Sequence, residues 1–415
     1  MAPPRAGNRA LTPPPPRTGP GGPPGASQRF RSGRRGGGRP ALSSPTFSDW
    51  LPRPWLFPLL ALGASWVVML AGWRLANFYS HTTFGWRWYI GYKDAAFYVS
   101  IARSWYNQPS LTSVGVPITA AWFPVFPALI WLAAHVDLGN WAAANLIAII
   151  GSGAAACVSV WALAARVGDR WLADRAVLLF CVFPGAMTFA AIYAEPLGVA
   201  LTACSLLAAV NRKWLLSGLL ALAATGEHPT LIVLAPALAI VAGHAIWTRR
   251  DWRSLLAPIL APWGMLGYFL WIATRYHARY TFWFTLERRG WGQKIDWGQR
   301  TFQVVTWTGR HMPSHADFYL MCDIMFWVLL AGTVLMLWAR VPLPVSAFTI
   351  LLFINAVISN GSGPRPRMVL PALGIFLGAA ACLPRRLYWP VLALSAGGLL
   401  FIVGWWPHHP LVPPP

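Results

Sequence analysis

From residue 55 to residue 406 the chain alternates between long apolar runs and short polar turns. Apolar runs occupy residues 55–76, 140–165, 175–194, 214–225, 230–247, 254–274, 318–339, 342–359, 368–383 and 388–406, with a shorter one at 196–210. A bilayer core of about 30 Å takes about 20 helical residues. The pattern therefore predicts an all-α polytopic membrane protein of about eleven transmembrane helices. The stretch 120–136 is apolar but short, and Pro124 and Pro127 interrupt its first half. It is read as an interfacial or re-entrant helix. With that choice Arg166, Arg170, Arg175, Arg212-Lys213, Arg249-Arg250, Arg340 and Arg385-Arg386 all fall on the same side as the basic N-terminus. The excess of arginine on cytoplasmic loops then puts the N-terminus inside and the C-terminus outside. Two large loops, 77–140 and 275–317, face outward. So do the turns at Glu195-Pro196, at Gly226-Glu227-His228-Pro229 and at 360–367.

Composition fits this picture. The chain of 415 residues is 56% hydrophobic and 11% charged, with a mean hydropathy of +0.48. A soluble domain carries about 25% charged residues, so a water-soluble enzyme and a disordered protein are both excluded. The formal net charge of +21 would suggest nucleic acid in a soluble protein. Here it belongs to loops and to a tail, and no nucleic-acid partner is expected. Residues 1–53 are rich in Pro, Gly, Ser and Arg and cannot bury enough apolar surface to offset chain entropy. They are expected to be a disordered cytoplasmic tail that meets anionic headgroups. Residues 54–406 form the transmembrane domain, and residues 407–415 a short Pro-rich extracytoplasmic tail. The five cysteines form no CxxC pair, so neither a disulfide framework nor a thiolate metal site is indicated. Arginine outnumbers lysine heavily, with abundant Ala, Gly, Pro and Trp. That bias suggests a G+C-rich bacterial source and hence a bacterial plasma membrane.

The polar residues that interrupt the apolar pattern are the candidates for chemistry. Asp94 is the first carboxylate after the first run, and Asp94, Tyr98 and Ile101 recur at helical spacing. Asp94 is either a general base or a helix-starting aspartate paired with Lys93 or Arg103. Trp122-Phe123-Pro124-Val125-Phe126-Pro127 suits an interfacial turn, or the wall of a prenyl groove with Tyr98. Glu195, just before Pro196, is either functional or a favourable charge at a helix start. Glu227-His228 is a titrating or sugar-binding pair, or only a polar turn; two such residues are too few to argue a metal. Arg289 and Trp291 in the second outer loop suit a phosphate and a sugar face. Arg365 and Arg367 either hold a phosphate or snorkel to the interface. No Walker A, GxGxxG, HExxH or GxSxG context occurs.

Taken in order, these motifs resemble the PIG-V-like mannosyltransferases, of the GPI mannosyltransferase II type, in the GT-C class of membrane glycosyltransferases. The resemblance rests on Asp94…Tyr98…Ile101-Ala102, Trp122-Phe123-Pro124-Val125-Phe126-Pro127 and Tyr193-Ala194-Glu195-Pro196. It continues through Gly218-Leu219-Leu220…Ala223-Ala224-Thr225, Trp291-Gly292 and Ser362…Pro366-Arg367…Pro371, covering roughly residues 55–385. Lys93 replaces a tryptophan of the family pattern, Phe126 a tyrosine, Ala194 a serine and Gly226 an arginine. The resemblance implies a GT-C-like fold and transfer of mannose from a polyprenyl-phosphate donor to a hydroxyl of a lipid, glycan or protein acceptor, at the outer membrane face and with inversion. It implies Asp94 as the base. It casts Arg367, Arg365 and Arg289 as cations for the phosphate, and Glu195 as an orienting group. No cofactor is named with certainty; a divalent metal is compatible with this chemistry, without a ligand set to hold it. The competing readings are a lipid-linked-sugar transporter or flippase, and a non-catalytic membrane relative of the same fold.

Overall fold

The computed structural model of the chain describes residues 51, 53–81, 85, 90–91, 93–136, 139–306, 316–360 and 364–405. Nearly all of the 1–53 tail, and all of the 407–415 tail, lie outside the described residues. Helix α1 (Phe57–Tyr79) opens the membrane domain with Pro58 in its first turn, where the missing N–H costs nothing. It is followed by α2 (Asp94–Ser104), α3 (Val125–Val136) and α4 (Trp141–Val167). Asn140 caps α4 by accepting from the Ala143 amide. Then come α5 (Arg170–Cys181), α6 (Glu195–Val210), α7 (Trp214–Thr225) and α8 (Leu234–Arg249). Next are α9 (Leu256–Leu260), α10 (Trp263–Tyr276) and, in the second outer loop, α11 (Phe282–Trp291) and α12 (Gln299–Val305). The chain ends in α13 (Ala316–Trp338), α14 (Leu343–Ile358), the short α15 (Pro366–Val369), α16 (Leu373–Cys382) and α17 (Arg385–Trp405).

Each apolar run read from the sequence contains a helix. Among the described residues six spans are long and apolar enough to cross a membrane: Pro54–Tyr79, Trp141–Val167, Pro229–Arg249, Trp252–Tyr276, Leu320–Trp338 and Arg385–Trp405. A seventh candidate is the bent pair Arg170–Cys181 and Pro184–Ala190. The other runs of the expected eleven are shorter helices: α6, α7, α14 and α16. At about 1.5 Å per residue they fall short of a straight crossing. The run 175–194 is not one straight span. It bends by 78° between α5 and the 3-10 segment Pro184–Ala190, because Pro184 has no N–H to continue the helix. The ambiguous stretch 120–136 yields α3, which has 12 residues and is too short to cross.

Small residues let the helices approach closely, as in other membrane bundles. A Cβ on Gly72 of α1 would lie 2.5 Å from the Leu400 carbonyl of α17, so the first and last spans cross there backbone to backbone. Arg175 is not a solvated loop cation but a buried one. Its guanidinium lies 4.2 Å from the Trp171 ring and 4.1 Å from the Tyr388 ring, and it donates to the Leu383 carbonyl. It therefore ties α5 to α17.

A two-rung antiparallel ladder joins the segment after α11 to the end of α14. Strand β1 (Lys294–Ile295) pairs with β2 (Ser359–Asn360), with Lys294 opposite Asn360 and Ile295 opposite Ser359. Asp296 continues the join: its amide bonds the Ile358 carbonyl, and its carboxylate accepts from the Gly298 and Arg300 amides at the start of α12. The 275–317 segment is thereby fastened to the end of α14, next to the arginine-bearing turn.

Candidate active site

The polar interruptions of the apolar pattern converge on one cavity of about 980 Å³. Asp94, Tyr98, Phe123, Glu227, His228, Trp291, Arg365 and Arg367 all line it. Residues far apart in sequence and on different elements thus meet on one cavity.

Asp94 is the first residue of α2 and Tyr98 lies one turn later on the same face. A negative charge in the first turn is favoured by the helix dipole. The face carrying Ala95, Tyr98, Ile101 and Ala102 is buried, which fixes the helix and so the direction of the carboxylate. Glu195 begins α6, with Pro196 next to it. Arg365 is extended, as the residue before Pro366 is driven to be, and α15 then turns Arg367 back into the body. The 3-10 segment after α5 packs directly behind it: a Cβ on Gly185 would lie 2.2 Å from the Pro366 carbonyl oxygen. Only glycine allows that approach.

Arg367 is the hub. Through Nη1 it donates to Asp94 Oδ2 at 3.1 Å and to Glu195 Oε1 at 2.9 Å, and its guanidinium lies 5.6 Å from the Tyr193 ring. Its side chain is 9% exposed, that of Glu195 4% and that of Asp94 19%. Glu195 therefore sits behind the arginine, off the cavity wall, and Asp94 meets the cavity itself. Burial alone would lower the Arg367 pKa, but the Glu195 and Asp94 carboxylates more than offset this and hold it above its ordinary value. Burial raises the Asp94 carboxyl above the usual range, the nearby Arg367 pulling the other way.

The sequence expectation had made Arg367 a phosphate ligand. In the structure Arg367 lines the cavity and also engages two carboxylates, so most of its charge is already matched. Arg365 is buried and lines the cavity. Burial, then repulsion from Arg367, pushes its pKa down to about 10, so it stays a cation at neutral pH. Arg289 stands apart: it is exposed and donates to the Ser113 hydroxyl at 2.9 Å. Its neighbour Arg288 lines the cavity instead, as do Lys294 and Arg300. Phe126 is fully buried behind the site, edge-on to the Tyr98 ring at 5.3 Å, whereas Phe123 reaches the cavity wall.

Glu287 was not singled out from the sequence although it lies in the motif that contains Arg289. It lines the cavity from α11, and burial, then the Asp94 charge, pushes its carboxyl up to about 7. A carboxylate in a half-apolar helix of an outer loop was the available signal. Arg300 had no local signal, since it is long-range packing, with the Thr301 hydroxyl donating to the Val357 carbonyl and Val304 lying against Cys322, together with the β1–β2 ladder, that brings α12 to the site. Among the described residues no group of three or more His, Cys, Asp or Glu is placed to hold a metal ion.

No protein-family model matches the chain, and no curated protein sequence matches it. The structure matches solved membrane proteins. One is the archaeal oligosaccharyltransferase AglB from Archaeoglobus fulgidus, in complex with an inhibitory peptide and a dolichol-phosphate. It superposes with a TM-score of 0.50 at 12% identity, over 84% of this chain and 55% of AglB. The fold is GT-C-like. Also similar is ArnT from Cupriavidus metallidurans bound to undecaprenyl phosphate, with a TM-score of 0.48 at 17% identity, over 81% of this chain and 62% of ArnT. The chain thus spans less than two thirds of the length of either protein. The likeness is one of fold, and within the GT-C-like body the cavity takes in both the α2 aspartate and the arginines before α16.

Proposed function

We propose that this protein is an integral membrane glycosyltransferase that moves a sugar from a polyprenyl-phosphate donor to an acceptor hydroxyl. The observation that carries the reading is that Asp94 and Arg365 line one cavity, Asp94 being held by Arg367. A transfer of this kind needs a base for the hydroxyl and cations for the leaving phosphate, and it needs no general acid. Asp94 takes the acceptor proton as the acceptor oxygen attacks the anomeric carbon from the face opposite the phosphate. The bond from that carbon to the phosphate oxygen breaks, and polyprenyl phosphate leaves with the electron pair, which Arg365 and the neighbouring cations stabilise. The proton ends on Asp94, and the anomeric centre is inverted. Tyr98 and Phe123 are the apolar wall for the first prenyl units, and Trp291 offers an aromatic face to a sugar.

The order of motifs, which resembles the PIG-V-like family, supports mannose as the sugar. AglB, which shares the fold, is in complex with a dolichol-phosphate, a lipid of the donor class proposed for this chain. The arginine bias supports a bacterial plasma membrane with the N-terminus in the cytoplasm and the cavity at the outer face. The test is transfer of radiolabelled mannose from polyprenyl-phosphate mannose to membrane lipids by the purified chain. Labelled product that disappears in Asp94→Asn supports the reading. Movement of the lipid-linked sugar across a vesicle membrane without transfer, undiminished in Asp94→Asn, would instead identify a flippase.

A further inference from the structure

The transfer step leaves part of the cavity wall without a role. Glu227 and His228 form the turn between α7 and the 3-10 segment Pro229–Val233. Glu227 is 1% exposed, and neither carboxyl oxygen has a hydrogen-bond partner. A polar group in that state destabilises the fold unless something else satisfies it. Room has been left for it: a Cβ on Gly198 of α6 would lie 2.3 Å from Glu227 Oε2. Burial, then repulsion from Glu195, pushes the Glu227 carboxyl well above its usual range, which favours the uncharged acid.

His228 is set up in a complementary way. Its Nδ1 accepts from the Thr230 amide at 3.3 Å and lies 2.8 Å from the Thr230 hydroxyl. An acceptor Nδ1 places the ring proton on Nε2. Burial, then Arg367, lowers its pKa to about 3, so the ring is neutral. The cations of the cavity come from other elements: Arg288 from α11, Lys294 from β1, Arg300 from α12, Arg365 from the turn before α15 and Arg367 from α15, the last already bonded to two carboxylates. The α7 turn therefore offers uncharged donors and acceptors, a poor match for a phosphate and a good one for alcohols.

Resting on the proposed glycosyltransferase reading, we propose that Glu227 and His228 bind neighbouring hydroxyls of an uncharged sugar and so determine which glycosyl group the cavity accepts. The hydroxyls could belong to the donor sugar or to a glycoside acceptor, and the chemistry is the same for both.

The test uses the full chain in lipid nanodiscs and three probes: undecaprenyl phosphate, undecaprenyl-phosphate mannose and methyl α-mannopyranoside. Wild type should gain affinity from mannose on the lipid, bind the methyl glycoside, or both. Glu227→Leu should lose about tenfold of that sugar-dependent affinity, the scale of one lost hydrogen bond to a partner left buried. Its affinity for undecaprenyl phosphate should not change. Its melting temperature should hold or rise, because an unpartnered buried carboxyl has been replaced by an apolar side chain. Glu227→Gln, which keeps shape and hydrogen bonding, should bind sugar nearly as wild type does. A loss confined to the lipid-linked probe assigns the corner to the donor, and one confined to the methyl glycoside assigns it to the acceptor. Unchanged sugar affinities in Glu227→Leu overturn the inference and leave the proposed function standing. Loss of undecaprenyl phosphate binding together with a lower melting temperature also overturns it, in favour of a structural role. A wild-type chain that binds neither sugar probe overturns the proposed function and this inference together.

Discussion

At the residue scale the site is a division of labour among acidic and basic groups with different surroundings. Asp94→Asn keeps the shape of the side chain but cannot take a proton. Transfer should fall by about 10²–10⁴, the usual contribution of a general base, with expression near normal; single-turnover assays on purified protein measure this. Because burial raises the Asp94 carboxyl, the base form is lost as pH falls through that raised value. Transfer should therefore fail at a higher pH than an ordinary aspartate would dictate. Arg367 and Arg365 separate cleanly. Arg367→Ala leaves Glu195 buried without its counter-ion and should cost about 3–5 kcal/mol of stability, read as a lower unfolding midpoint. Arg365→Ala should raise the donor KM, because a cation that lines the cavity is lost; donor titration of the purified variant measures it. Glu287 gives a pH signature. Its folded value of about 7 lies above the ordinary 4.5, so its contribution to stability is complete below 4.5 and is lost as pH rises through 7. Glu287→Gln should remove that loss, seen as a smaller drop in unfolding midpoint between pH 5 and 8 than in wild type. Asp94, Glu195 and Glu227 were legible in the sequence because a carboxylate between apolar runs stands out. What was not legible was who pairs with whom: the spacing of Arg365 and Arg367 does not say that, of two arginines on the cavity wall, Arg367 is the one bonded to Asp94 and Glu195.

At the scale of elements, the apolar runs announced the helices, and the shortness of 120–136 together with its prolines announced α3 as too short to cross. The bend after α5 was missed, because a proline inside a long apolar run reads equally as a tolerated kink. That bend matters for the site, since the 3-10 segment it creates backs α15. Gly185→Ala puts a methyl group 2.2 Å from the Pro366 carbonyl oxygen, and the flanking backbone must move. The expected result is a loss of transfer without any change to a polar side chain of the cavity, and activity beside a thermal unfolding curve checks it. Helices α11 and α12 were hidden within a long outer loop. Their positions depend on partners far away in the chain: Phe282 and Leu286 of α11 pack with Phe123, Tyr268 and Phe269, and α12 is tied by Thr301 to the Val357 carbonyl and through the short β1–β2 ladder.

At the scale of the whole molecule, the convergence of the polar turns on one cavity requires them to share a side of the membrane. Which side is testable with single cysteines. Gln293→Cys should react with an impermeant maleimide added to intact cells, and Arg212→Cys only after the membrane is opened; the reverse pattern would invert the orientation. The site is also closed late. Arg367 lies 273 residues after Asp94 and 172 after Glu195 in the chain. During synthesis the two acids therefore enter the membrane region well before the guanidinium that will neutralise them exists. Over that interval they must be held by water, by lipid headgroups or by the insertion machinery. A nascent chain halted before α15 would carry every aromatic of the groove and the proposed base, and still have no assembled site.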